Sequence, residues 1–108
     1  MIPMQNMEET EKFLTEHPMT LVYISRSKCS VCQSLKPQLE RLLENYPHIR
    51  SASVSADELP EAASRFEVLT APAVLLFIEG KERWRGARFI QREELEHQFI
   101  QWSEALEQ

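Results

Sequence analysis

Lys28-Cys29-Ser30-Val31-Cys32 follows an apolar, strand-like run, opens a helix-like one and holds both cysteines of the chain. Cysteines at this spacing, with the first at a helix start, make a redox pair. The first thiol meets the positive end of the helix dipole and backbone N–H groups with no partner in the helix, which favour thiolate over thiol. The second thiol lies about one turn inward, close enough to form a disulfide with the first. Lys28 adds a positive neighbour that is expected to lower the Cys29 pKa further.

Upstream, Met19 to Ser25 (MTLVYIS) is a nearly continuous apolar run of strand length, which predicts a strand covered on both faces at the centre of an α/β sheet. Before it, Asn6-Met7-Glu8-Glu9 has the pattern of a capping box. Met7, Phe13 and Leu14 give a short amphipathic helix ending near His17-Pro18.

Downstream, Cys32, Leu35, Leu39, Leu42 and Tyr46 recur at helical spacing, predicting a helix from about Cys29 to Tyr46, kinked at Pro37. Arg50 to Ala56 (RSASVSA) alternates like a strand, and Asp57 to Phe66 reads as a short helix with Pro60 in its first turn. Ala73 to Ile78 (AVLLFI) is a second fully apolar strand. A turn at Glu79-Gly80-Lys81 joins it to a hairpin partner over Glu82 to Gly86. From about Gln91, Leu95, Phe99, Trp102 and Leu106 share one helical face. The expected order is α-β-α-β-α-β-β-α in a single domain over 1–108, with no repeat or linker to mark a second.

The composition, 43% hydrophobic and 27% charged, is that of an ordinary globular protein. A net charge of −5 argues against a general nucleic-acid binder, because phosphate contacts need a basic surface. No apolar run approaches the roughly 20 residues of a membrane span. Met1 to Thr10 carries acidic residues where a signal peptide would be basic and then apolar, so a cytoplasmic, reducing location is expected. There a CxxC pair is catalytic or metal-binding rather than a static staple.

Taken together, these features make the chain resemble a thioredoxin over nearly its whole length. Pro37 stands five residues beyond Cys32, where that family carries its helix-kinking proline. Thr70-Ala71-Pro72-Ala73 looks like the family's cis-proline loop, Gly80 occupies the following hairpin turn, and Gly86 stands just after the next strand. The resemblance implies a thioredoxin fold: an α/β architecture with a four- or five-stranded mixed sheet and helices on both faces. It implies that Cys29 attacks a substrate disulfide and that Cys32 resolves the mixed disulfide. Pro72 would lie against the pair, leaving the backbone at Ala71 free to bond an extended substrate. Protein disulfides would be the substrates, and a reductase or low-molecular-weight thiol the electron source. No metal, organic cofactor, nucleic acid or membrane is implied, and nothing demands more than a monomer.

The departures are equally specific. Lys28 replaces the usual tryptophan, and Ser30-Val31 replaces Gly-Pro, so the residues that shape the site and set its redox poise differ. The family's buried carboxylate falls at Tyr23 and its lysine partner at Ser53. Losing both charges together avoids a buried unpaired one. The expectation is a hydrogen bond from the Tyr23 hydroxyl near Ser53. Tyr23, with an ordinary pKa of about 10, is a poor base near neutrality.

Plainer readings stand beside these. Lys28 also reads as a solvated lysine, Pro72 as an ordinary trans loop proline and Tyr23 as a core aromatic. His17, His48 and His97 receive no ligand role, and Trp84 and Trp102 read as packing residues. Two rival functions remain open: a thioredoxin-like interaction module with little turnover, and a dimer bridged by metal through paired CxxC motifs.

Overall fold

The computed structural model describes residues 1–107. Five strands form one sheet: β1 (Ile2–Pro3), β2 (Met19–Ser25), β3 (Arg50–Ser55), β4 (Ala73–Ile78) and β5 (Lys81–Ala87). Four helices alternate with them: α1 (Met7–Glu16), α2 (Ser30–Leu43), α3 (Glu61–Arg65) and α4 (Arg92–Leu106). The strand order is β1-β3-β2-β4-β5, so the apolar run MTLVYIS is the central strand, as its hydrophobicity requires. β2 pairs parallel with β3 and antiparallel with β4, which makes the sheet mixed.

β1 departs from the expected order. It is a two-residue strand paired parallel to β3 through Ile2–Ala52 and Pro3–Ser53, too short and too proline-bound to carry a pattern of its own. The cap of α1 is close to expectation. The Asn6 side chain accepts the Glu9 N–H at 2.8 Å, while the Glu9 carboxylate reaches back to the N–H of Gln5 rather than that of Asn6.

The period of two in each strand divides the core into two layers. Val22, Ile24, Ala52, Val54, Leu75 and Phe77 face α1 and α3, meeting Phe13, Leu14, Ala62 and Phe66. Leu21, Tyr23, Val74 and Leu76 face α2 and α4, meeting Cys32, Leu39, Leu42, Leu95 and Phe99. Thr20, at the base of β2, is wholly buried with a hydroxyl that has no hydrogen-bond partner among the described residues.

The second glycine-bearing signature reads differently in the fold. Gly86 lies within β5, not after it, beside the Trp84 ring. A Cβ there would stand 2.8 Å from Trp84 Cη2 and 3.1 Å from Ile90 Cγ1, so the missing side chain is a packing requirement. Gly80, with φ +82°, makes the β4–β5 turn in the left-handed region that glycine enters freely.

Candidate active site

The end of β2 delivers the chain to Arg26, Ser27 and Lys28, all exposed, before α2 begins. The Ser27 N–H donates to the Asp57 carboxylate, tying this loop to the segment after β3. That bond, together with the nearby Arg26 charge, holds the Asp57 carboxyl below its usual range. Lys28 adopts φ 55°, a left-handed backbone uncommon for a side-chain-bearing residue, and turns the chain into the helix.

Cys29 is the N-cap of α2. Its Sγ accepts the Cys32 N–H at 3.1 Å, taking the place of the oxygen that a Ser or Asp cap supplies. A sulfur that accepts an N–H at the positive end of a helix is in surroundings that favour negative charge on it. Cys29 and Cys32 are joined by a disulfide with their Cα atoms 5.2 Å apart. They differ in access: Cys29 is half-buried, whereas Cys32 is 2% exposed. Ser30 is exposed and Val31 half-buried at the start of the helix.

Opposite the pair stands the loop before β4. The Ala71–Pro72 peptide bond is cis, Pro72 is buried, and Ala71 packs against the α2/α4 layer of the core beside Cys29. Cys29, Thr70 and Ala71 line one groove of about 420 Å³ together with Lys28 and Val31. Arg88, just beyond β5, completes it: its N–H donates to the Pro72 carbonyl at 2.6 Å, which holds Arg88 beside the loop.

Behind the pair is a second cavity of about 270 Å³, polar in character, lined by Cys32, Tyr23, Ser53, Lys36 and Glu58 among others. The alternation of β3 explains its polarity. Ala52 and Val54 enter the opposite core layer, leaving Ser53 and Ser55 to line the space beneath α2. Tyr23 and Ser53 are register partners on adjacent strands and share this cavity. The expected bond between them does not form. The Tyr23 hydroxyl instead donates to the Cys32 carbonyl at 2.6 Å, since Tyr23 and Cys32 share the core layer beneath α2. Burial raises the Tyr23 pKa, which keeps the hydroxyl protonated and leaves no phenolate near neutrality to accept a proton.

The structure therefore gathers Lys28, Cys29, Ser30, Val31 and Ala71 around one opening, with Cys32 buried beneath it and Pro72 buried next to Ala71. It adds residues that the sequence reading passed over: Arg26, Asp57, Leu69 and Arg88. The cations flanking Cys29 at 26 and 28 were visible as a local charge pair. Leu69 and Arg88 carry no local signal, since only the fold brings them to the cysteines.

The thioredoxin family model matches residues 2–101. The thioredoxin-like protein YdfQ of Bacillus subtilis (strain 168) is 41% identical over 96 residues, covering 89% of this chain and 86% of the relative. Thioredoxin-1 of Saccharomyces cerevisiae is 30% identical over 74 residues, covering 68% of this chain and 72% of the relative. Among solved structures, Fasciola hepatica thioredoxin superposes with a TM-score of 0.85 at 23% identity, over 94% of this chain and 98% of that one. A thioredoxin fold, a paired Cys29–Cys32 at the start of α2 and this similarity along the chain lead to one conclusion: the protein is a thiol–disulfide oxidoreductase and belongs to the thioredoxin family.

Proposed function

We propose that the chain reduces protein disulfides through Cys29 and Cys32. The observation that carries this reading is the asymmetry of the pair: Cys29 opens onto the groove beside Thr70 and Ala71, while Cys32 is buried behind it. In the reduced protein the Cys29 thiolate attacks one sulfur of a client disulfide. The client S–S bond breaks, a Cys29–client bond forms, and the departing client sulfur takes a proton. The Cys32 thiol then attacks Cys29 Sγ, and its proton passes to the departing second client sulfur. Two electrons have passed to the client, and the Cys29–Cys32 disulfide holds the oxidised state. A reductase or a low-molecular-weight thiol would restore the dithiol.

Lys28, Ser30, Val31, Ala71 and Pro72 shape the opening in this reading. Pro72 contributes no N–H and a fixed ring, and the backbone at Ala71 is the natural partner for an extended client segment. A single domain acting as a monomer in a reducing compartment such as the cytoplasm fits a chain whose two cysteines form one reactive pair rather than distant staples.

Insulin-disulfide reduction with a chemical dithiol as electron source tests the activity. Turnover that disappears in Cys29→Ser is expected, and wild-type protein without turnover would turn the reading toward a binding module. Equilibration of the Cys29–Cys32 pair against a glutathione series tests the direction. A potential near about −270 mV marks a reductant, and one towards about −120 mV an oxidant.

A further inference from the structure

The charge distribution around Cys29 runs against that of the whole chain. The net charge is −5, yet the groove at Cys29 and the one adjoining it across Arg88 are lined by Arg26, Lys28 and Arg88 and by no acidic residue. Among the described residues, the ion pairs are Lys12–Glu16, Arg65–Glu11 and Arg85–Glu82, and none involves these three cations. Two carboxylates stand near Arg26: Asp57, which is engaged by the Ser27 N–H, and Glu58, which lines with Arg26 the cavity behind the cysteines. Lys28 and Arg88 belong to segments far apart in sequence. Each sits at a left-handed backbone position, φ 55° and 62°, so the chain accepts an unfavoured conformation at two of the three points where a cation lines the opening.

The same rim carries two uncovered apolar side chains. Leu69 is 92% exposed within the Cys29 groove, and Phe89 is 75% exposed in the adjoining one of about 550 Å³, with the Arg88 guanidinium over its ring at 5.3 Å. Apolar anchors beside unpaired cations make a surface that is incomplete without an anionic, partly apolar partner.

We infer that the preferred clients are protein disulfides in extended acidic segments, in which Asp or Glu flanks the reacting cysteine and an apolar side chain lies nearby. This inference rests on the disulfide-reductase reading and names its substrate class. Lys28 and Arg88 would meet the client carboxylates, Leu69 and Phe89 the apolar side chain, and Cys29 the sulfur. The repulsion from basic segments supplies the complementary rejection.

The test uses the full chain and three synthetic peptide disulfides of one sequence, with Glu, Gln or Lys around the cysteine, and follows reduction under a chemical dithiol. The acidic peptide should be reduced roughly tenfold faster than the basic one at low salt, with the ratio shrinking towards unity at high salt. Reversing the rim with Lys28→Glu and Arg88→Glu should invert the order. Equal rates for the three peptides, or a preference for the basic one, would overturn the inference and leave the reductase reading standing. Failure to reduce any of them would remove the reductase reading and the inference together.

Discussion

The Tyr23 hydroxyl and the Cys32 carbonyl are hydrogen-bonded at 2.6 Å, linking the central strand to the first turn of the helix that holds the cysteines. This tyrosine occupies the place where thioredoxins carry a carboxylate, and it holds the backbone of Cys32 rather than serving its sulfur. Tyr23→Phe removes the donor and leaves the carbonyl without this partner. A loss of about 0.5–1.5 kcal/mol in denaturant unfolding is expected. The pH dependence carries a second signature. Burial raises the Tyr23 pKa in the folded state, so the stability from the neutral hydroxyl is complete below the ordinary value of about 10 and declines as pH rises above it. Unfolding measured across that alkaline range should fall less steeply in Tyr23→Phe than in wild type.

Thr20 offers the opposite outcome. Its hydroxyl is buried in the central strand without a partner among the described residues, a cost that folding absorbs without return. Thr20→Val keeps the branched shape that suits a strand and deletes the polar atom. A gain of about 1 kcal/mol in unfolding free energy is expected, and a measured loss would overturn this reading of Thr20.

Asp57 should leave its mark at the acid end. Its depressed carboxyl pKa arises from the Ser27 N–H and the Arg26 charge. A depressed folded-state pKa means the stabilisation is present above the ordinary value of about 3.9 and is lost as pH falls through the folded one. Asp57→Asn keeps an acceptor for Ser27 without a titrating group. Its stability profile below about pH 4 should be flatter than that of wild type, and an identical slope would mean that other carboxylates govern the acid limb.

Cys29 is both cap and nucleophile, and two substitutions separate the roles. Cys29→Ser retains an acceptor for the Cys32 N–H, whereas Cys29→Ala retains none. Both should abolish disulfide reduction. The serine variant should be the more stable by about 1 kcal/mol, since neither can form the disulfide.

Much of this is legible in the sequence. β2 and β4 announce themselves because central strands are apolar on both faces, and the CxxC falls at a strand-to-helix junction that periodicity alone locates. The segment Thr70–Ala73 gained its meaning from being read together with that pair. What escaped was non-local. β1 exists only through its pairing with β3, so Ile2 and Pro3 carry no pattern to read. The expectation of a Tyr23–Ser53 bond comes from the resemblance, which sets these residues at the family's carboxylate and lysine positions. The strand register does place them side by side, but the position of α2 over the sheet decides where the hydroxyl bonds. Arg88 reaches the site through the bond of its N–H to Pro72, which neither segment advertises.

The two margins of the sheet have a consequence for association. β1 offers two residues, one of them a proline, and β5 presents Lys81, Glu82, Arg83 and Arg85 along a strand whose register slips near Leu76/Phe77. Shortness, proline, charge and irregular register are each means of discouraging lateral docking of another strand. The chain can thus display Leu69 and Phe89 to solvent without also offering a flat edge on which copies could polymerise. The two most exposed large apolar side chains stand at one end of the sheet, where a single visitor can cover both.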